Sequence, residues 1–294
     1  MSIAPAQTLR REAEALAAPL PPLLVAAEQL AASVQMGAHG RRRAGAGDEF
    51  WQFRAAAAGD ALRSIDWRRS ARSDAQYVRE REWQAAQSIY LWVDGAASMQ
   101  YSGAAARGSK ATRARLLALA LAVLMVRSGE KVGLLAPPSP PRPGRAQLLH
   151  LASLLAAPQD AGADYGAPAA EGLAPHARAL MLSDFLGDPG AVEAALAAAA
   201  QRGVKGVLMQ VLDPDEEAFP YDGRVIFESM GGSLRYETRA AGDLRLRYRE
   251  RLAARRDLLA GLARAAGWQF GTHHTGQPAA TALLWAFAAL ERGR

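Results

Sequence analysis

Read by its apolar and polar positions, the chain changes character at Gln87. From there short apolar runs alternate with longer segments of helical period, and several runs are closed by Asp, Gly or Pro. Ser88–Val93 (SIYLWV) is the clearest run: β-branched and aromatic, and ended by Asp94-Gly95. A continuous run of this length suits a strand buried on both faces of a parallel sheet. The pattern then predicts a helix over 107–128 whose centre, 116–126, is apolar on every side. A strand over 131–135, a proline-marked loop over 137–143 and a helix over 146–155 follow. After a Gly/Pro/Asp loop at 158–175 comes a strand, Arg178–Ser183, ending at Asp184. The helix predicted at 189–202 has Pro189 where a first helical turn tolerates it, and a buried strand at 204–212 closes at Asp213-Pro214. Val225–Glu228 and 233–237 read as a hairpin about Gly231-Gly232. Leu244, Tyr248, Leu252, Leu259 and Leu262 mark one face of a long basic helix that stops near Gly267. A last strand (268–272) and a last helix (279–290) complete the pattern. Strands alternating with helices imply an α/β fold with a mainly parallel sheet, covered by helices on both faces.

Before Gln87 the pattern is different. Residues 1 to about 36 are rich in Ala, Leu and Pro and predict one or two short helices. Residues 37–86 lack periodicity and mix Arg and Trp with Asp and Glu at high density, which reads as a salt-bridged, loop-rich segment. The expected organisation is therefore 1–86, an N-terminal helical and Arg/Trp-rich segment, and 87–294, the sheet domain.

Composition narrows the chemistry. The 294 residues include no cysteine, which excludes disulfides, thiol catalysis and thiolate zinc sites. The net charge of +6 permits acidic partners, nucleic acid or anionic lipid and selects none of them. No apolar run approaches the roughly 20 residues of a membrane span, so the expectation is a cytoplasmic protein.

Asp94 and Asp184 both sit at predicted strand ends, with Ser98 just beyond the first. In open α/β sheets ligands bind in the crevice outside the strand carboxyl ends, and oxygen ligands there suit a hard cation such as magnesium. The same aspartates could instead cap the turns that follow them. Gly103 to Lys110 is a near miss of a phosphate loop, because Ser109 separates the Lys from the second Gly and Ala111 follows it. No nucleophile elbow is present. His39, His150, His176, His273 and His274 have no zincin spacing. The interleaved acids argue for structural ion pairs over nucleic-acid binding at Trp51, Trp67 and Trp83.

An ordered set of short motifs runs through the segment before the sheet domain. It comprises Gly45-Ala46-Gly47-Asp48-Glu49-Phe50, Arg54, Gly59-Asp60, Arg63-Ser64-Ile65-Asp66-Trp67, Ala71-Arg72 and Arg79-Glu80. The stretch from Val93 to Met99 and Ser183-Asp184-Phe185 follow in order. In these residues the chain resembles the bacterial family known as domain of unknown function 58, a relative of the von Willebrand factor A domain. The resemblance spans about 37–290. It implies a von Willebrand A-like, Rossmann-like fold and a metal-ion-dependent adhesion site beginning Asp-x-Ser-x-Ser. Here that stretch reads Asp94-Gly95-Ala96-Ala97-Ser98, so the first hydroxyl is missing. The expected Thr is missing too, since 158–178 contains none. Asp94, Ser98 and Asp184 remain as an incomplete ligand set, and the expectation is no cofactor or at most weakly held magnesium.

The resemblance also implies a working partnership with MoxR-type AAA+ ATPases in protein-complex assembly or maturation. The expected function is a non-enzymatic adaptor presenting the surface around Asp94, Ser98 and Asp184 to a protein. Two other classes stay open. One is a magnesium-dependent phosphohydrolase using Asp94 and Asp184. The other is nucleic-acid binding through the basic helix at 243–265.

Overall fold

The computed structural model describes residues 22–38, 52–56, 65, 67–71, 77–80, 86–158 and 162–291. They fall in two compact units, one of residues 39–86 and one of residues 1–38 with 87–294. In chain order the elements are α1 (Pro22–Ala38), β1 (Gln52–Ala55), α2 (Trp67–Ser70), β2 (Tyr77–Glu80), β3 (Ser88–Val93), α3 (Lys110–Arg127), β4 (Lys131–Ala136) and β5 (Ser139–Arg142). There follow α4 (Arg145–Ala156), β6 (Arg178–Ser183), α5 (Pro189–Gln201), β7 (Lys205–Leu212), α6 (Pro214–Ala218), β8 (Val225–Glu228), β9 (Arg235–Thr238), α7 (Ala241–Ala265), β10 (Gln269–His274) and α8 (Ala279–Glu291).

The smaller unit holds an antiparallel pair, β1 with β2, in which Gln52 faces Glu80 and Ala55 faces Tyr77. The Ser70 hydroxyl at the end of α2 accepts from the Tyr77 amide at 2.9 Å.

The larger unit is a mixed α/β domain around a six-stranded sheet in the order β10-β7-β6-β3-β4-β5. Five strands are parallel and β5 alone runs antiparallel, against β4. Strand side chains alternate between the two faces. Ile89, Leu91 and Val93 of β3 therefore enter one core with Leu180, Leu182, Val207, Met209 and Val211. Tyr90 and Trp92 enter the other with Ala179, Met181 and Leu208. The helices α3, α4 and α8 cover the first face, while α5 and the second half of α7 cover the other.

The all-round apolar character of α3 has a simple cause: α1 lies on its outer side as a third layer. Leu24, Ala27, Ala31 and Val34 recur at helical spacing along α1 and are buried in that core. The helix α1 thus belongs with the sheet unit, whereas composition groups it with the Arg/Trp-rich segment. The prolines expected to mark a loop at 137–143 instead build β5. An edge strand tolerates proline because its outer side needs no donor, and the Gln147 side-chain amide donates to Val132 O at 2.8 Å and Pro140 O at 3.1 Å.

Candidate functional site

The strand order reverses between β3 and β6. From β3 the chain goes to β4 on one side, and it later returns to β6 on the other. Such a switch point opens a crevice at the strand carboxyl ends. Asp94 follows β3 and Asp184 follows β6, so the two expected carboxylates flank that crevice, and the Asp94 amide donates to Leu182 O at 2.9 Å.

Both carboxylates are buried, Asp94 at 2% and Asp184 at 1% exposure. Asp94 is held from three directions. Its Oδ1 accepts from the Ala96 amide at 2.8 Å and its Oδ2 from the Ser183 hydroxyl at 2.6 Å, while the Gly166 amide supplies a further bond. Gly166 is needed for that approach, since a Cβ there would collide with the Asp94 carboxylate. Burial raises the Asp94 pKa, and the bonds from Ser183 and the two amides work against the rise. Ser183 Oγ in turn accepts from the Phe185 amide at 2.9 Å, and Phe185 takes the left-handed backbone (φ 49°) that turns the chain back under Trp92.

Asp184 has a different partner. Its Oδ2 lies 2.8 Å from the ammonium of Lys110, and the same ammonium lies 2.6 Å from Glu216 Oε1. Lys110 is the first residue of α3 and is completely buried. A helix N-terminus repels a cation, and burial of the ammonium costs several kcal/mol more. Two carboxylates outweigh both costs, and although burial pulls the Lys110 pKa down, Asp184 and Glu216 hold it above its ordinary value. Removing one member of such a pair costs about 3–5 kcal/mol. Glu216 is fixed by a capping box at the start of α6, where its Oε2 accepts from the Asp213 amide at 2.9 Å. Gln210 donates to Asp184 O at 2.9 Å, and the Leu186 amide to Asp184 Oδ1 at 3.1 Å.

A roof closes the crevice. The Ala97 and Ser98 amides donate to Ala163 O and Asp164 O at 3.0 and 2.9 Å, which lays the 163–166 loop across the Asp94 turn. Asp164 also reaches outward to the β8–β9 turn, accepting from Ser229 Oγ at 2.9 Å, from the Gly231 amide at 2.5 Å and from Ser233 Oγ. Asp94 and Asp184 flank one crevice with Ser98 in the turn after Asp94, and all three are buried beneath the roof.

The resemblance implies a divalent cation here, and the residues present do not fit one. The buried Ser98 hydroxyl has no hydrogen-bond partner among the described residues, as a relic of a ligand would. Against that, Asp184 already holds a cation of the chain's own, Asp94 is satisfied by a hydroxyl and two amides, and position 96 is a methyl. Among the described residues no three His, Asp or Glu side chains are arranged to hold a metal.

A second charged cluster borders the first. Arg107 donates to Asp213 at 3.0 Å and Asp215 at 2.8 Å, and Thr275 Oγ1 donates to Asp213 at 2.9 Å. Gly103 leaves room for this cluster, because a Cβ there would displace the carboxylates of Asp215 and Asp213. The near-miss phosphate loop is thereby accounted for: Ser109 caps α3 by accepting from the Thr112 amide at 3.2 Å, and Lys110 turns inward to the carboxylates. His273 is buried beside Arg113 (2.9 Å), and burial followed by the charges of Arg113 and His274 brings its pKa down to about 4. In the basic helix α7, Arg245, Arg255 and Arg256 spend their guanidinium groups on Phe219 O, Gly187 O and Glu217.

Of the family-motif residues, Gly45, Gly47, Glu49, Phe50, Gly59, Asp60, Arg63, Asp66 and Arg72 lie outside the described residues. Arg54 and Glu80 lie in β1 and β2, and Trp67 opens α2 with its ring exposed. The sequence does not announce the roles of Lys110, Ser183, Glu216 and Asp164 at this site. The Asp213-x-x-Glu216 spacing was a readable capping signal. The partners of Lys110 were not readable, because they lie 74 and 106 positions away.

Comparison with known proteins gives a family and little more. Solved structures that resemble the chain include the following two. One is the conserved hypothetical protein BatB from Bacteroides thetaiotaomicron (15% identity, 70% of this chain and 100% of that one, TM-score 0.38). The other is an aerotolerance-related membrane protein from Bacteroides fragilis NCTC 9343 with multiple mutations to serines (15% identity, 70% and 100%, TM-score 0.40). No curated protein matches. The model of the family described as Protein of unknown function DUF58 matches residues 52–258, well over half of the chain, and the chain belongs to that family.

Proposed function

We propose that this chain is a non-enzymatic, cytoplasmic protein-interaction module of von Willebrand A-like build that works with a MoxR-type AAA+ ATPase in the assembly or maturation of protein complexes. The docking surface is the β8–β9 hairpin above the crevice. The observation that carries this reading is the exposure of Ile226, Met230, Leu234 and Tyr236 on a hairpin whose turn is fastened to the crevice roof through Asp164. Large apolar side chains gathered on an exposed element mark an interaction site. Arg235 and Arg239 beside them are exposed, and so are Glu228 and Glu237, so the matching partner surface carries apolar anchors ringed by charges of both signs.

The phosphohydrolase reading fits less well, because Asp94 and Asp184 are already bonded and roofed over. The nucleic-acid reading is weakened by the three α7 arginines that bond within the chain.

The test pairs Met230→Asp with Leu234→Asp, both at exposed positions. Binding to the purified ATPase should fall at least about tenfold, the effect of a loss of roughly 1.4 kcal/mol, with the melting temperature unchanged. Full affinity in that variant would remove the hairpin from the reading. Magnesium-dependent phosphate-ester turnover abolished by Asp184→Asn would put the phosphohydrolase in its place.

A further inference from the structure

The crevice contains a cation supplied by the chain itself. Lys110 is wholly buried, and its ammonium lies 2.8 Å from Asp184 and 2.6 Å from Glu216. It also faces the Tyr101 ring at 5.8 Å from the centroid. It comes from the first turn of α3, the carboxylates from the end of β6 and the start of α6. Three elements on both sides of the switch point thus meet on one charge. We propose that the Lys110 ammonium takes the place of a divalent cation in this crevice, so that the site is assembled without metal and its lysine, once removed, leaves a magnesium- or manganese-responsive position between Asp184 and Glu216.

The chemistry is a balance of charge. An ammonium on a four-carbon stem satisfies two carboxylates that otherwise repel each other in a dry site. A hard cation held by one or two carboxylates and several waters would do the same, and the volume vacated by the lysine stem would admit those waters. The two cations are alternatives, because they need the same oxygens. The inference does not rest on the docking reading, and its test contains no partner protein, so either can fail alone.

The measurement is thermal melting of the full chain with millimolar manganese, magnesium, calcium or EDTA. The wild-type melting temperature should stay fixed in all four. Lys110→Ala should melt well below wild type in EDTA and recover by about 5 °C when manganese is about 100-fold above its dissociation constant. Lys110→Ala combined with Asp184→Asn should lose that response. A manganese site in the wild-type chain that vanishes in Asp184→Asn would overturn the proposal. So would a Lys110→Ala chain that ignores manganese, whether it folds or stays unfolded with the ion present.

Discussion

Ser98 carries the one hydroxyl of the Asp94 turn, and that hydroxyl is buried and unpaired among the described residues. Leaving such a group unsatisfied costs about 1–3 kcal/mol, so Ser98→Ala should stabilise the chain by roughly 1 kcal/mol in urea unfolding. A loss of similar size would show that the hydroxyl holds something the fold needs. The same turn shows how far single residues could be read in the sequence. Asp94 and Asp184 were legible because a strand that stops at an acid announces a crevice residue. Lys110 is visible only as a misplaced phosphate-loop lysine, and Ser183 only as one member of the Ser183-Asp184-Phe185 motif. Both act through partners that folding alone brings near, and Ser183 reaches Asp94 across 89 positions.

At the scale of elements, the sequence is legible where a run is apolar on both faces and misleading where composition resembles that of a loop. The strands Ser88–Val93 and Arg178–Ser183 have the predicted limits because Asp follows each and ends it. The edge strand β5 was missed because Ser139-Pro140-Pro141-Arg142 has the composition of a loop, and its ladder is completed by a side chain, Gln147, from the next helix. For α1 the helix was legible but its place was not: nothing in Pro22–Ala38 says that its apolar stripe meets α3. The placement can be tested. Leu24 is fully buried in the core shared by α1 and α3, so Leu24→Ala should cost about 2–5 kcal/mol in chemical unfolding. A cost below about 1 kcal/mol, the range of surface positions, would detach α1 from the core.

For the whole molecule, the clearest pH signal lies where α3 meets the end of β10. His273 is buried against Arg113, with His274 beside it, and its pKa falls from 6.5 to about 4. The folded chain therefore keeps this imidazole neutral where the unfolded chain protonates it. That contribution is complete above about pH 6.5 and is lost as pH falls toward 4, up to about 3 kcal/mol in all. Asp94, whose pKa is raised, acts in the opposite direction, since its burial favours the folded state only while it is protonated. The two separate in a comparison: His273→Gln should flatten the stability profile between pH 6.5 and 4 relative to wild type. Parallel profiles would exclude His273 as the source.

One residue, Asp164, closes the crevice with its main-chain carbonyl and grips the exposed hairpin with its carboxylate. Outer surface and crevice roof consequently share a rivet, and Phe227 of the hairpin, stacked on Phe219 at 5.5 Å, adds a second tie. A pull on the hairpin would load that rivet, and the strain would run along the loop to Gly166 and Asp94, toward the seam where the sheet changes direction.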